Sequence, residues 1–316
     1  MATREHLVVT VTPNPCIDTV LFVSDLQLGD TNRVQRIERD AGGKGINLAR
    51  IVHKLGGATI ASGLLGGGTG AHVKAVLDSE QVPHDFVSIT GETRSNIFVE
   101  SGGGPPTCFN EPGPKISAEE YNALIEETRI LSQNACWLAI GGALPPGVPK
   151  DVYCVLGEIG HSASAKVLLD ADGEALRFGL TAGPDLVKPN IREAERLLGM
   201  DLDGIDFAID ATSEIRKQLI HDHQRPNYEP IVIISMGAKG AVMASHEGRF
   251  IGASPKIVPI STIGSGDSML GAFLWALEQG ECTAHALRWG VAAGATTAMT
   301  NGAEIASKPA IMEMFA

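Results

Sequence analysis

Aromatic residues make up only 5% of this 316-residue chain, and its 25 Lys+Arg are outnumbered by 37 Asp+Glu, for a formal net charge of −12. So few cations exclude a general nucleic-acid binder, because phosphate backbones are held by clustered Lys and Arg. A small anionic ligand remains compatible, since a few local basic groups suffice for one. No apolar run approaches the ~20 residues needed to cross a bilayer, and the Ala-rich stretch from Trp289 to Met299 reads as a buried helix. Cysteine is sparse: the five residues (Cys16, Cys108, Cys136, Cys154, Cys282) form no C-x-x-C pair and no Cys/His metal-ligand spacing. With no signal-peptide pattern at the Met-Ala-Thr-Arg start, a reduced cytoplasmic protein is expected.

Glycine is abundant instead, at 37 residues, well above the usual share of about 7%. The glycines fall in discrete clusters, where a backbone turns sharply or approaches a ligand. The length fits one large domain or two smaller ones. Apolar residues reach an ordinary 44%.

Strand and helix patterns alternate along the chain. Buried-strand runs are predicted at Leu7–Val11, Thr59–Leu64, Cys136–Ile140, Lys166–Asp170, Asp185–Val187, Ile231–Ser235 and Lys256–Ile260. Helical periodicity is predicted over 47–55, 70–79, 117–131, 150–160, 173–182, 191–198, 211–222, 265–279 and 283–299. Ser117-Ala-Glu-Glu120 is a capping box. The pattern implies a mostly parallel sheet covered by helices on both faces. Strands of more polar character, at about 17–39 and 95–110, are expected to leave the main sheet together as a small β lid inserted in a single domain spanning 1–316. Residues 104–113 and 200–210 read only as loops.

Three segments carry chemistry. Gly264-Ser265-Gly266-Asp267-Ser268 opens a helix, and successive N–H groups there form an anion site aided by the helix dipole. An acid beside an anion is explained if it removes a proton from a hydroxyl attacking a phosphoryl group; the bland alternative makes Asp267 a helix cap. Neither a Walker A loop nor a dinucleotide fingerprint is present. Gly42-Gly43-Lys44-Gly45-Ile46-Asn47 also enters a helix, and either end of the Asn47 amide can bond a sugar hydroxyl; a tight turn with a cap is the alternative. The Asp18 carboxylate in Asn14-Pro-Cys-Ile-Asp18 can accept two hydrogen bonds from vicinal hydroxyls, though an isolated loop Asp is commonly just solvated.

These segments, together with Gly29-Asp-Thr-Asn32-Arg33, Gly91-Glu-Thr93-Arg94, Leu144-Pro-Pro-Gly147, Lys188-Pro-Asn190-Ile-Arg-Glu193 and Ser235-Met-Gly237-Ala-Lys-Gly240, occur in one order along the chain. In that order they resemble the PfkB (ribokinase-like) carbohydrate kinase family, nearest its 1-phosphofructokinase and tagatose-6-phosphate kinase branch. The resemblance implies a three-layer α/β/α fold and an ATP- and Mg²⁺-dependent sugar kinase. It implies Asp267 as catalytic base and the N–H groups of Gly264, Ser265 and Gly266 as anion hole. Asn190 and Glu193 would organise Mg²⁺ through water, and Ser235, Gly237 and Gly240 would line the nucleotide site. Asp18, Gly43 and Asn47 would grip the sugar. Arg94 would pair with a phosphate already on the substrate, assisted by Arg33 and Lys44, because a guanidinium binds phosphate oxygens in pairs.

The expected reaction is therefore phosphorylation of a ketohexose monophosphate at its free primary hydroxyl. Fructose 1-phosphate is the first choice, tagatose 6-phosphate the second and fructose 6-phosphate the third. One departure stands out: Gly141-Gly142-Ala143 replaces the branch's usual Ser-Gly-Ser, removing hydroxyls that would contact sugar. A catalytically silent sugar-phosphate binder and a kinase for unphosphorylated sugars or nucleosides are the rival readings. A homodimer through the lid is expected by family analogy.

Overall fold

The computed structural model describes residues 6–101, 106–223 and 225–316. The Met-Ala-Thr-Arg start and residues 102–105 of the expected lid and loop segments lie outside the described residues. The elements run in the order β1 (Val8–Thr12), β2 (Cys16–Val23), β3 (Arg36–Gly42), α1 (Lys44–Leu55), β4 (Thr59–Gly66), α2 (Gly67–Ser79), β5 (His84–Ile89), β6 (Arg94–Ser101) and β7 (Thr107–Asn110). There follow α3 (Ala118–Ser132), β8 (Trp137–Gly141), α4 (Val152–Ser162), β9 (Lys166–Asp170), α5 (Gly173–Leu180), β10 (Leu186–Val187), α6 (Ile191–Leu198), α7 (Ile205–Asp222) and β11 (Ile231–Ser235). A hairpin of β12 (Ala241–Ser245) and β13 (Gly248–Gly252) precedes α8 (Ser265–Glu278), α9 (Thr283–Thr297) and α10 (Lys308–Phe315).

Among the described residues the main sheet has the order β13-β12-β11-β10-β9-β8-β1-β4-β5. Pairings from β5 to β11 are parallel, and only the terminal hairpin is antiparallel. Period-2 alternation explains the layers. Leu138 and Ile140 of β8 enter the core under α3–α7, while Trp137 and Ala139 enter the one under α1, α8 and α9. In the same way Val232 and Ile234 of β11 face one layer, and Ile231 and Ile233 the other. The expected three-layer, mostly parallel architecture is what the chain adopts.

A second sheet, ordered β3-β2-β6-β7, stands apart. Its strands are those expected at 17–39 and 95–110, although β2 is far more buried than its polar pattern suggests.

Several expectations need correction. Lys256–Ile260 is not a strand: Pro255 and Pro259 remove ladder donors, the β12–β13 hairpin takes the sheet edge, and Val258 is 84% exposed. Helix α7 begins inside the supposed loop 200–210, and α1 begins at Lys44. Strand β5, the hairpin and α10 have no counterpart in the sequence reading. In α10 a Pro sits in the first turn, a position that tolerates Pro well.

Candidate active site

The chain leaves β1 toward β4 and β5 on one side and returns to β8 on the other. Loops after β1 and β8 therefore diverge, opening a crevice at the C-terminal ends of the strands. The ends of β9, β10 and β11 and the N-termini of α1, α6 and α8 all converge beside it.

Gly264 sits at the N-cap of α8 with φ 71, a conformation suited to glycine. The Ser265 N–H makes a long 3.3 Å bond to Thr262 O, whereas those of Gly264, Gly266 and Asp267 have no partner among the described residues. Asp267 does not cap this helix; its Oδ2 accepts a 2.9 Å hydrogen bond from Asn47 Nδ2. The bland reading of Asp267 therefore fails. Burial, followed by the nearby Asp170 carboxylate, pushes Asp267 up to about 6 against the opposing pull of Lys44, Asn47 and Lys188.

Two residues without an assigned role in the sequence reading complete this region. Asp170, at the end of β9, is 3% exposed; its Oδ1 accepts a 2.7 Å hydrogen bond from Lys44 Nζ, and Lys188 Nζ forms an ion pair with Oδ2 at 3.4 Å. Burial alone would raise the Asp170 carboxyl, but the two ammonium groups outweigh it and hold it below the usual range. Lys44 also lies 3.9 Å from Glu193 Oε1. Burial disfavours its charge, yet Asp170, Glu193 and Asp267 around it raise its pKa. Lys188 Nζ would be 3.8 Å from a Cβ on Gly266, so it stands beside the unpaired N–H groups. The only sequence signal for Asp170 was an acid closing an apolar strand.

Asn190 and Glu193 form a reciprocal capping box at α6. Asn190 Oδ1 accepts from the Glu193 N–H at 2.9 Å, and Glu193 Oε2 accepts from the Asn190 N–H at 2.7 Å. Their spacing thus has a local structural cause, and Glu193 Oε1 is the oxygen left facing Lys44. Ser235 bridges to Asn190 at the end of β11. Gly237 and Gly240 follow with φ 57 and 89, and a Cβ on Gly240 would lie 2.0 Å from Gly252 O.

On the side of the small sheet, Asp18 of β2 is 4% exposed. Its Oδ1 accepts from Asn96 Nδ2 at 3.0 Å and from Cys16 Sγ at 3.2 Å. A Cβ on Gly42 would lie 2.4 Å from Asp18 Oδ2, and one on Gly43, φ 123, only 2.9 Å from Thr12 Cγ2. Arg94 opens β6; its Nε donates to Asn14 O at 3.3 Å and its Nη1 to Glu111 O at 2.9 Å. Asn14 Nδ2 in turn donates to Pro112 O, so residues 111–113, read earlier as an unassigned loop, strap this side. Arg33 is exposed, and Lys44 reaches Asp170 and Glu193. The structure thus gathers Asp267, Asn47, Lys44 and Glu193 in one group and Asp18 and Arg94 in another, with Asn47 adjoining Gly264 and Asp267.

Among the described residues no group of three or more His, Cys, Asp or Glu side chains is placed to hold a metal ion, and no helix is long and apolar enough to cross a membrane.

The description of the pfkB family of carbohydrate kinases matches residues 10–310. A 1-phosphofructokinase of Borreliella burgdorferi is 34% identical over 296 residues, 93% of this chain and 92% of that protein. A 1-phosphofructokinase of Bacillus subtilis is 31% identical over 294 residues, 93% of each. The crystal structure of phosphofructokinase-2 from Escherichia coli in complex with substrates and products superposes with a TM-score of 0.89, at 30% identity over 98% of each chain. This chain belongs to the pfkB family of carbohydrate kinases, and it is a sugar kinase.

Proposed function

We propose that the enzyme transfers the γ-phosphoryl group of ATP to the free primary hydroxyl of a ketohexose monophosphate, with fructose 1-phosphate giving fructose 1,6-bisphosphate as the first choice. Tagatose 6-phosphate and fructose 6-phosphate follow in that order. The observation that carries the reading is Asp267, an acid that caps nothing, sits next to unpaired N–H groups and is pushed to about 6. A base of this kind is ionised at neutral pH yet basic enough to take a proton. Asp267 accepts the hydroxyl proton as the oxygen attacks phosphorus, and ADP departs. The N–H groups of Gly264, Ser265 and Gly266, with Lys188 alongside, hold the charge spread over the transferred group.

Ser235, Gly237 and Gly240 border the nucleotide. The hard carboxylate oxygen of Glu193 suits Mg²⁺, which is commonly held by one or two carboxylates plus substrate phosphates, whereas Asp170 is already neutralised by Lys44 and Lys188. Glu193 Oε1 and the Asn190 amide would hold the ion through water, and it would supply positive charge to the phosphates.

Asp18, Gly43 and Asn47 face the sugar. Arg94 supports a phosphorylated acceptor, because two carbonyls fix its guanidinium while Nη2 has no partner among the described residues. Arg33 assists it as a charge, whereas Lys44, expected to do the same, is paired with Asp170 and Glu193 on the Asp267 side. Gly141-Gly142-Ala143 contributes no hydroxyl here, so selectivity rests on the Arg94 side.

The small sheet acts as a lid on the single kinase domain, excluding water. Its face opposite Asp18 and Asn96 carries Leu21, Ile37, Ile97 and Phe109 by strand register. Ile37 and Phe109 are 46% and 58% exposed, which supports a homodimer through the lid of this cytoplasmic enzyme. The test is ADP release with Mg²⁺-ATP against fructose 1-phosphate, tagatose 6-phosphate, fructose 6-phosphate, fructose, ribose and adenosine. Preference for one phosphorylated ketohexose is expected; turnover of unphosphorylated acceptors alone would overturn the Arg94 argument. Binding of a phosphosugar without ADP release would identify a silent binder.

A further inference from the structure

Asn96 stands directly across from Asp18 in the β2–β6 ladder, two residues beyond Arg94 on the same face. Both side chains lie more than nine-tenths buried, at 8% and 4% exposure. One amide nitrogen of Asn96 donates to Asp18 Oδ1 at 3.0 Å and to Cys16 Sγ at 3.1 Å. The Cys16 thiol closes the triangle by donating to the same Asp18 oxygen at 3.2 Å. Asp18 Oδ2 accepts no hydrogen bond among the described residues and lies 2.4 Å from where a Cβ on Gly42 would be. Asn96 Oδ1 is also buried and has no partner among the described residues. A residue present only to fill space would avoid a buried unpaired carbonyl, because an apolar side chain of that size carries no such cost.

We infer that Asn96 is a positioning residue of the sugar subsite, fixing one oxygen of Asp18 so that the other is presented to the acceptor's hydroxyls. The inference rests on the reading of Asp18 as a sugar-binding group. It makes β6 carry two functions, since the strand that delivers Arg94 also aligns the carboxylate facing the sugar ring.

The charge state of Asp18 supplies a second readout. Burial raises its carboxyl above the ordinary value, while the donors Cys16 and Asn96 and the Arg94 guanidinium pull it back and Asp40 of β3 pushes it further up. Cys108 of β7 also faces this carboxylate, and Asp267 of α8 acts on Cys16. Removing the amide donor moves Asp18 upward, so ionised Asp18 is lost at a higher pH.

Asn96→Ala and the isosteric Asn96→Asp test this, using as probe whichever acceptor of the panel the wild-type enzyme turns over best. Both variants are expected to raise KM for that acceptor at least about tenfold, as for a hydrogen bond to a charged group. KM for ATP and kcat at saturating acceptor should stay within about threefold. The acid limb of kcat/KM for the acceptor should move to higher pH, further for Asn96→Asp, which sets a second carboxylate against Asp18. Unchanged acceptor KM and pH profile in both variants would overturn the proposal. So would parallel losses in acceptor KM, ATP KM and melting temperature in both variants, the mark of a structural role alone. A best acceptor without phosphate would refute the substrate reading while leaving Asn96 tested. A wild-type enzyme turning over none would overturn both.

Discussion

Replacing Asp267 by Asn separates catalysis from stability. The substitution keeps shape and preserves a partner for Asn47, but it removes the ionisable group. Loss of a positioned base costs about 10²- to 10⁴-fold in rate, so kcat should fall at least a hundredfold. Stability should move the other way. Raising a carboxyl from its ordinary 3.8 to about 6 corresponds to ~3 kcal/mol between its protonation states. That is an upper bound, because Asp267 is only half-buried and water screens it in part. The sign follows from proton linkage. A group whose folded-state pKa is raised favours the folded state fully below 3.8, and that contribution is lost as pH rises through about 6. At pH 8 the wild type therefore holds a charge that its site disfavours. Asp267→Asn should then melt higher at pH 8, by up to roughly 5 °C for a chain of this size, and show little difference near pH 4. Thermal unfolding at the two pH values, with ADP release at pH 8, checks both halves. The acid limb of wild-type kcat is expected near pH 6. Retained turnover, or a variant that melts lower at pH 8, would refute the assignment.

Arg94→Ala should raise KM for the phosphosugar by about ten- to a hundredfold, the range for a charge-assisted pair, with KM for ATP unchanged; steady-state kinetics with both substrates read this out. Gly42→Ala places a methyl 2.4 Å from Asp18 Oδ2, so acceptor KM should rise while the ATP KM holds, and an unaltered acceptor KM would mean that Asp18 does not meet the sugar. Asn190→Ala breaks the capping box and should cost about 1 kcal/mol in denaturant unfolding; a rise in the Mg²⁺ concentration needed for half-maximal rate would mark a nucleotide-side role beyond the cap.

The candidate catalytic loop is legible because its signal is local. Gly264-Ser265-Gly266-Asp267 combines a left-handed turn, bare N–H groups and an acid within four residues, and no distant partner is needed to recognise it. Asn-x-x-Glu at 190–193 was also visible, but a capping box and a metal-organising pair share that spacing. Only coordinates could show the Asn190 and Glu193 side chains bonded to each other's backbone. Helix α10 and the start of α7 carry weak helical signals in the sequence, because Pro309 and the aspartates around 201–206 are residues that favour breaks and loops.

The sequence by itself determined the alternation of buried strands and helices, the acidic surface and the ordered set of segments that places the chain among sugar kinases. These follow from periodicity and from residues adjacent in the chain. Tertiary structure alone decided which charges meet. Lys44 and Asp170 are 126 residues apart, Asp18 and Asn96 are 78 apart, and Asn47 lies 220 from Asp267. Their contacts depend on strand order and register, which place β9 beside β8 and β6 beside β2. A buried carboxylate is held charged or pushed toward neutrality by neighbours that the linear chain does not contain.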